Sequence, residues 1–180
     1  MNPKKIFDFI AKKNPKYELE NILNNQPRLI QYNSHLIQFI DNPSEEIQLK
    51  IIDVNPSLIQ YIKNPSEKSQ LRAVEKDIYS IEYIKNPSEE IQLKIIDVNP
   101  SLIQYINNPS EEVQLKVVND VLDLFIQIKN PTDKVKNFYR KLLNDDLEYY
   151  KEMLTRKPEN SLFKQRLERR IEQLNKLDEN

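Results

Sequence analysis

The 180-residue chain contains no glycine, no cysteine and no tryptophan, and its single histidine is His35. The missing glycine excludes most. Glycine supplies the positive φ angles of tight hairpin turns and the close backbone approach of phosphate loops. A β-rich fold is therefore disfavoured, and no P-loop or dinucleotide fingerprint can be written. Without cysteine there is neither a disulfide nor a thiolate metal site, which fits a reducing compartment. An excess of one charge is also lacking: 27 basic and 28 acidic residues leave a net charge of −1. That mixture reads as a solvated surface, not a polyanion-binding one. The opening stretch MNPKKIFDFIAKKNP is too short and too interrupted for a signal h-region or a membrane span. The chain reads as soluble and intracellular, and we expect it in the cytoplasm with no membrane partner.

What is present is a repeat. Residues 42–62 read NPSEEIQLKIIDVNPSLIQYI, and residues 86–106 are identical letter for letter. A diverged copy, NPSEKSQLRAVEKDIYSIEYIK, fills 64–85, and NPSEEVQLKVVNDVLDLFIQIK fills 108–129. Residues 20–41 match more weakly, through PRLIQYNSHLIQFID. The period is 22, so about five units run from residue 20 to 129.

Each unit carries two helix starts. Asn42-Pro43 reads as N-cap and first helical position, with Glu45 placed to bond back as in a capping box. Asn55-Pro56 opens the second helix, and the residue before a proline is pushed out of the α region. Helix A is expected over roughly 43–53 and helix B over roughly 56–63. In helix A, Ile47, Ile51 and Val54 share one face and Leu49 and Ile52 the other, with Glu46, Lys50 and Asp53 on the polar arc. In helix B, Leu58, Ile59, Tyr61 and Ile62 crowd one side and leave Gln60 outward. Helices this short need neighbours. The fold class expected is all-α: a right-handed αα-solenoid of about five two-helix repeats with helical caps at both ends. Residues 1–19 form the N-terminal cap, with helices near 3–13 and 15–24, the second running into the array. Residues 20–129 form the array itself. Residues 130–180 form the C-terminal cap, with helices near 131–143, 145–156 and 159–177. Leu142, Leu143, Leu147 and Met153 are placed to cover the last repeat. The final helix carries Phe163, Leu167, Ile171, Leu174 and Leu177 on one stripe, which fits a cap better than a separate coiled coil.

The unit N-P-S-E-E-x-Q-L-x-x-[IV]-x-x-N-P-x-x-I-x-Y-I resembles the short HEAT-like helical repeats of phage and bacterial proteins. The resemblance covers 42–129 well and 20–41 weakly, and does not reach the C-terminal third. It implies a binding scaffold. Among small phage proteins of this kind, it implies an anti-CRISPR-like inhibitor of a host defence nuclease. The copy at 64–85 departs from the pattern, with Asp77-Ile78 for Asn-Pro and Ser69 at the position of Ile47. A bend or a contact point is expected there.

Candidate chemistry is sparse. His35 aligns with Ser57 and Ser101, and no nucleophile or orienting partner can be named for it. The carboxylate pairs Glu45/Glu46, Glu89/Glu90, Glu111/Glu112 and Asp145/Asp146 read as helix-start residues more readily than as a hydrolytic pair. No loop gathers oxygens for a divalent cation. We expect no catalytic residue, no metal and no cofactor.

The column Phe39, Tyr61, Tyr83, Tyr105 suits core filling better than base stacking. The column Gln38, Gln60, Glu82, Gln104, with Lys63 and Lys85 at the ends of two B helices, should face outward as a partner-binding strip. The Glu46–Lys50 and Glu90–Lys94 pairs have the i,i+4 spacing of helix support. Lys164, Arg166, Arg169 and Arg170 form a basic set that can contact phosphate, although Glu168 and Glu172 dilute it. The function expected is non-catalytic binding of another protein, for instance a host nuclease complex. Binding of RNA or DNA is the alternative, and hydrolysis by acids on the strip, Glu82 first among them, ranks far below both.

Overall fold

The computed structural model describes residues 37, 38, 40 and 42–178, and among these every element is helical and no strand occurs. The expected helices near 3–13 and 15–24, most of the weak copy at 20–41, His35 and Phe39 lie outside the described residues. The described residues fall into two compact units, divided between Asn107 and Asn108. The division is at a repeat boundary, so the copy at 108–129 groups with the C-terminal helices.

The first unit contains three copies of one α-helix followed by one 3-10 helix. These are α1 (Glu45–Val54) and η1 (Pro56–Tyr61), α2 (Glu67–Lys76) and η2 (Ile78–Tyr83), and α3 (Glu89–Val98) and η3 (Pro100–Tyr105). Each α-helix packs on the next α-helix and each 3-10 helix on the next 3-10 helix, giving two layers with an isoleucine-rich interior between them. The second unit contains α4 (Glu111–Asp120), η4 (Leu122–Gln127), α5 (Asp133–Arg156) and α6 (Ser161–Asp178). There α5 packs on α4, η4 and α6.

The α-helices begin two residues later than the Asn-Pro signal implies. The N-cap is Ser44, Ser66, Ser88 or Ser110, not Asn42 or its equivalents, and no glutamate stands where a capping box would need it. Ser66 Oγ accepts from Ser69 N and Ser110 Oγ from Val113 N. The reason for the shift lies in a glutamine. Gln48 Nε2 donates to the Pro43 carbonyl at 3.0 Å, and Gln70, Gln92 and Gln114 do the same to Pro65, Pro87 and Pro109 at 2.9–3.0 Å. This holds the Asn-Pro-Ser stretch extended ahead of the helix, as Ser44 shows with φ −59° and ψ 150°. The same amide also reaches forward. Gln48 Oε1 accepts from Ser66 N at 2.9 Å, and Gln114 Oε1 from Thr132 N at 3.1 Å. One side chain therefore bonds the entry to its own helix and the entry to the next.

The second arm is a 3-10 helix of six residues, not the α-helix expected over 56–63. Its start is as read from the sequence: Asn55 and Asn99 accept from Ser57 N and Ser101 N, each with proline at the first position. Asp77 does the same for Tyr79 N, so the Asp77-Ile78 substitution leaves the register of the repeat unchanged. Six residues bracketed by extended residues, Asn55 and Ile62, are too few for an α-helix to propagate. At three residues per turn, side chains three apart eclipse. Ile59 and Ile62 therefore share the inner face, Leu58 and Tyr61 a flank on which Leu58 is buried and Tyr61 exposed, and Ser57 and Gln60 the outer face. Ser69, at the position of Ile47, is fully buried and bonded by Ser66 Oγ at 2.9 Å.

Other expectations are corrected by packing. Ile47, Gln48, Ile51 and Ile52 form the buried face of α1, while Val54 at the helix end is exposed and Leu49 is half-buried. Lys50 pairs with Glu46 at 2.6 Å as the spacing implies, but Lys94 reaches back to Glu75 of the preceding copy at 2.6 Å instead of to Glu90. The expected break near residue 144 does not occur. The stretch holds neither proline nor glycine, and Leu143, Leu147 and Tyr150 bury one continuous face of α5. Asp145 and Asp146 are thus mid-helix residues. With no glycine in the chain, Asn130 takes the one positive φ among the described residues, 54°, at the entry to α5.

Truncating the glutamines should separate the two halves of this bond pair. Gln48→Ala orphans a buried carbonyl and a backbone N–H, and should cost about 2–4 kcal/mol in urea denaturation. Gln70 bonds only Pro65, because its Oε1 is buried without a partner. Gln70→Ala should therefore cost about 1–2 kcal/mol less than Gln48→Ala.

Candidate binding surfaces

The outer face of the 3-10 layer is where the polar column lies. Gln38, Gln60, Glu82 and Gln104 are all exposed. Two of the glutamines fold back on their own helix: Gln60 Nε2 donates to the Ser57 carbonyl at 2.9 Å and Gln104 Nε2 to that of Ser101 at 3.2 Å. A groove of about 510 Å3 opens between η1 and η2. It brings together Gln60, Lys63 and Lys85 of the expected strip with Tyr61, Tyr83 and Asn86. Gln38, Glu82 and Gln104 do not line it. The tyrosines are not core fillers. Tyr61 is 36% exposed and Tyr83 38%, because in a 3-10 helix their position falls on the flank beside the buried isoleucines.

The basic set of α6 divides. Lys164 and Arg166 are exposed. Arg169 pairs with Asp123 at 3.0 Å. Arg170, only 14% exposed, donates to Asp123 of η4 at 2.6 Å, to Asp146 of α5 at 2.8 Å and to Gln173 at 2.7 Å. One guanidinium thus ties three elements, and a planar five-donor group suits that role. Sequence spacing gave no sign of it, since Asp123 and Arg170 are far apart in the chain. The one local signal is an acidic residue where other copies carry serine, Ser57 or Ser101. Among the described residues no group of three His, Asp or Glu side chains is placed to hold a metal ion, and no helix is long and apolar enough to cross a membrane.

Burial works against the charge of Asp123. Hydrogen bonds from Arg170 and Gln173, with the charges of Arg170 and Arg169, outweigh it and hold its carboxyl below the ordinary Asp range. A depressed carboxyl pKa stabilises the fold above the unfolded value, about 3.9, and that contribution is lost as pH falls through the folded value. Asp123→Asn should cost about 1 kcal/mol at pH 6, given the partial exposure of the carboxylate. The difference from the parent chain should shrink as pH falls below the unfolded carboxyl value and through the lower folded one, in thermal or urea unfolding. Arg170→Met should cost about 2–3 kcal/mol at pH 6, because it leaves Asp146 unpaired and Asp123 with only Arg169 and Gln173.

Comparisons with protein-family models, with curated proteins and with solved structures found no match, so the geometry alone carries a functional reading.

Proposed function

We propose that the stacked helix pairs belong to a solenoid of 22-residue units that works as a non-catalytic binding scaffold, and that its partner is an acidic, extended segment of another protein. The observation that carries this is the convergence of Tyr61 and Lys63 with Tyr83 and Lys85, from consecutive copies, on one groove. Packed helices stand about 8–10 Å apart. A polyproline-type strand turns once in three residues with a rise of about 3.1 Å each, so one turn of such a partner matches one repeat. Aromatic-lined grooves are a recurring way to hold segments of this kind. The lysines set the sign of the partner, and they act mainly on association rate and specificity.

The half-exposed tyrosines also favour a second reading, single-stranded nucleic acid with one base stacked per repeat. Glu82, exposed on the same 3-10 layer, does not line the groove and repels both polyanions alike. A single titration separates the two. A labelled peptide of Asp, Glu and Pro with an aromatic side chain at every third position should bind the full chain. Lys63→Glu with Lys85→Glu should weaken it by about tenfold or more, and Tyr83→Ala by about fivefold. A labelled oligouridylate should bind more weakly than the peptide at equal salt. Tighter binding of the oligouridylate would exchange the two readings, and binding of neither below millimolar concentration would remove the groove as a site.

A further inference from the structure

The second unit contains a cavity of about 530 Å3, within the range of small-molecule sites, about 300–1,000 Å3. Phe125, Ile126, Ile128 and Leu177 give it an apolar wall, and Tyr139 and Lys136 of α5 line it one helical turn apart. Two features set it apart from a packing defect. Tyr139 is 1% exposed, yet its hydroxyl has no hydrogen-bond partner. A buried phenol normally finds one, and leaving it without costs stability. The Lys136 ammonium has no ion-pair or hydrogen-bond partner among the described residues, while Arg169 and Lys176, which also line the cavity, are engaged by Asp123 and Glu172. The ring of Tyr139 is fixed by a stack on Phe125, centroids 3.9 Å apart and planes within 8°. Burial raises the pKa of the phenol, so at neutral pH it remains a donor.

A further change marks the place. The outer-face position occupied by Gln60, Glu82 and Gln104 becomes Ile126, exposed and on the cavity wall. An apolar side chain replaces a polar one only where the column meets this cavity.

We propose that this cavity binds a small monocarboxylate with an apolar body, one that is aromatic or a medium-length alkyl chain. The wall of Phe125, Ile126, Ile128 and Leu177 takes the body. The carboxylate offers one oxygen to the Lys136 ammonium and one acceptor to the Tyr139 hydroxyl. The site lies in a different unit from the groove between η1 and η2 and does not depend on the reading given to that groove.

Calorimetric titration of the full chain with 2-naphthoate, and with octanoate below its micellar concentration, tests it. One molecule per chain should bind. The neutral analogue 2-naphthylmethanol should bind about tenfold more weakly. Lys136→Gln should weaken naphthoate by about tenfold and Tyr139→Phe by about fivefold, the sizes of a charge-assisted and an ordinary hydrogen bond. Tyr139→Phe removes only an unbonded hydroxyl, so the thermal midpoint of the unliganded variant should hold or rise. A fall in that midpoint would show that the hydroxyl is already bonded and would overturn the proposal. So would the absence of binding by both acids at millimolar concentration, equal affinity for the alcohol, or affinities unchanged in both variants.

Discussion

A primary amide at one position of every copy, buried in Gln48, Gln92 and Gln114 and part-buried in Gln70, carries the constraint on which the repeat depends. Between the 3-10 arm of one copy and the α-helix of the next, the chain runs extended through Asn-Pro-Ser, where only the serine carbonyl is bonded by the helix backbone. The Pro43 carbonyl and the Ser66 N–H both stand in this part-buried layer and need a donor and an acceptor. Gln48 supplies both from one planar group, with the two bonds pointing to successive copies. Glutamate has no donor for the carbonyl, and leucine has neither half. Proline fits the other side of the arrangement, since it presents a carbonyl while having no N–H of its own to satisfy. Once the entries are tied, the isoleucine faces of successive α-helices close without leaving orphaned backbone between them.

The length of the repeat follows from its second arm. Ten α residues span about 15 Å at 1.5 Å each. Six residues in an α-helix would span only about 9 Å, but as a 3-10 helix they span about 12 Å at 2.0 Å each. The tighter helix lets a short arm nearly match the long one, so two packed layers are built from 22 residues. The same choice sets the surface. Threefold periodicity puts Ile59 and Ile62 inward, Tyr61 on a flank and Gln60 outward, which leaves the tyrosine column partly exposed.

Period, helix pairing and the outward direction of Gln60, Glu82 and Gln104 were legible because each is a periodicity. The Asn55 cap was legible because a short side chain oxygen before a helix start has one dominant use, whereas Asp77, read as a departure from the pattern, caps in the same way. The α or 3-10 choice was not, since over six residues both templates place Ile59 and Ile62 inward. The N-cap was misplaced for a physical reason: Asn-Pro is as good a start signal as Ser-Glu two residues later, and only the Gln48 bond to Pro43 decides between them. That bond had a sequence signal. Gln48, Gln70, Gln92 and Gln114 recur on a face that is otherwise isoleucine, valine or alanine apart from Ser69, and a polar residue kept there in every copy implies an internal partner. Arg170 had only the acidic Asp123 in place of a serine, because its three partners come from positions that no local pattern connects.

The last copy shows how the same register serves a different end. In η4 the cap is Val121, which makes no side-chain bond, and the following residue is Leu122 in place of proline. Three of its positions are changed together. Asp123 replaces the serine that bonds the Asn cap in η1 and η3, and it binds Arg170 instead. Ile126 replaces the outward glutamine. Phe125 replaces the buried isoleucine and stacks on Tyr139 of α5. The Asp123 and Phe125 changes create contacts with the C-terminal helices, as terminal units of repeat proteins must do when no further copy covers them, while Ile126 stays exposed. The cavity with the unbonded Tyr139 hydroxyl arises at that junction, where a repeat face of fixed spacing meets two long helices that do not share its period.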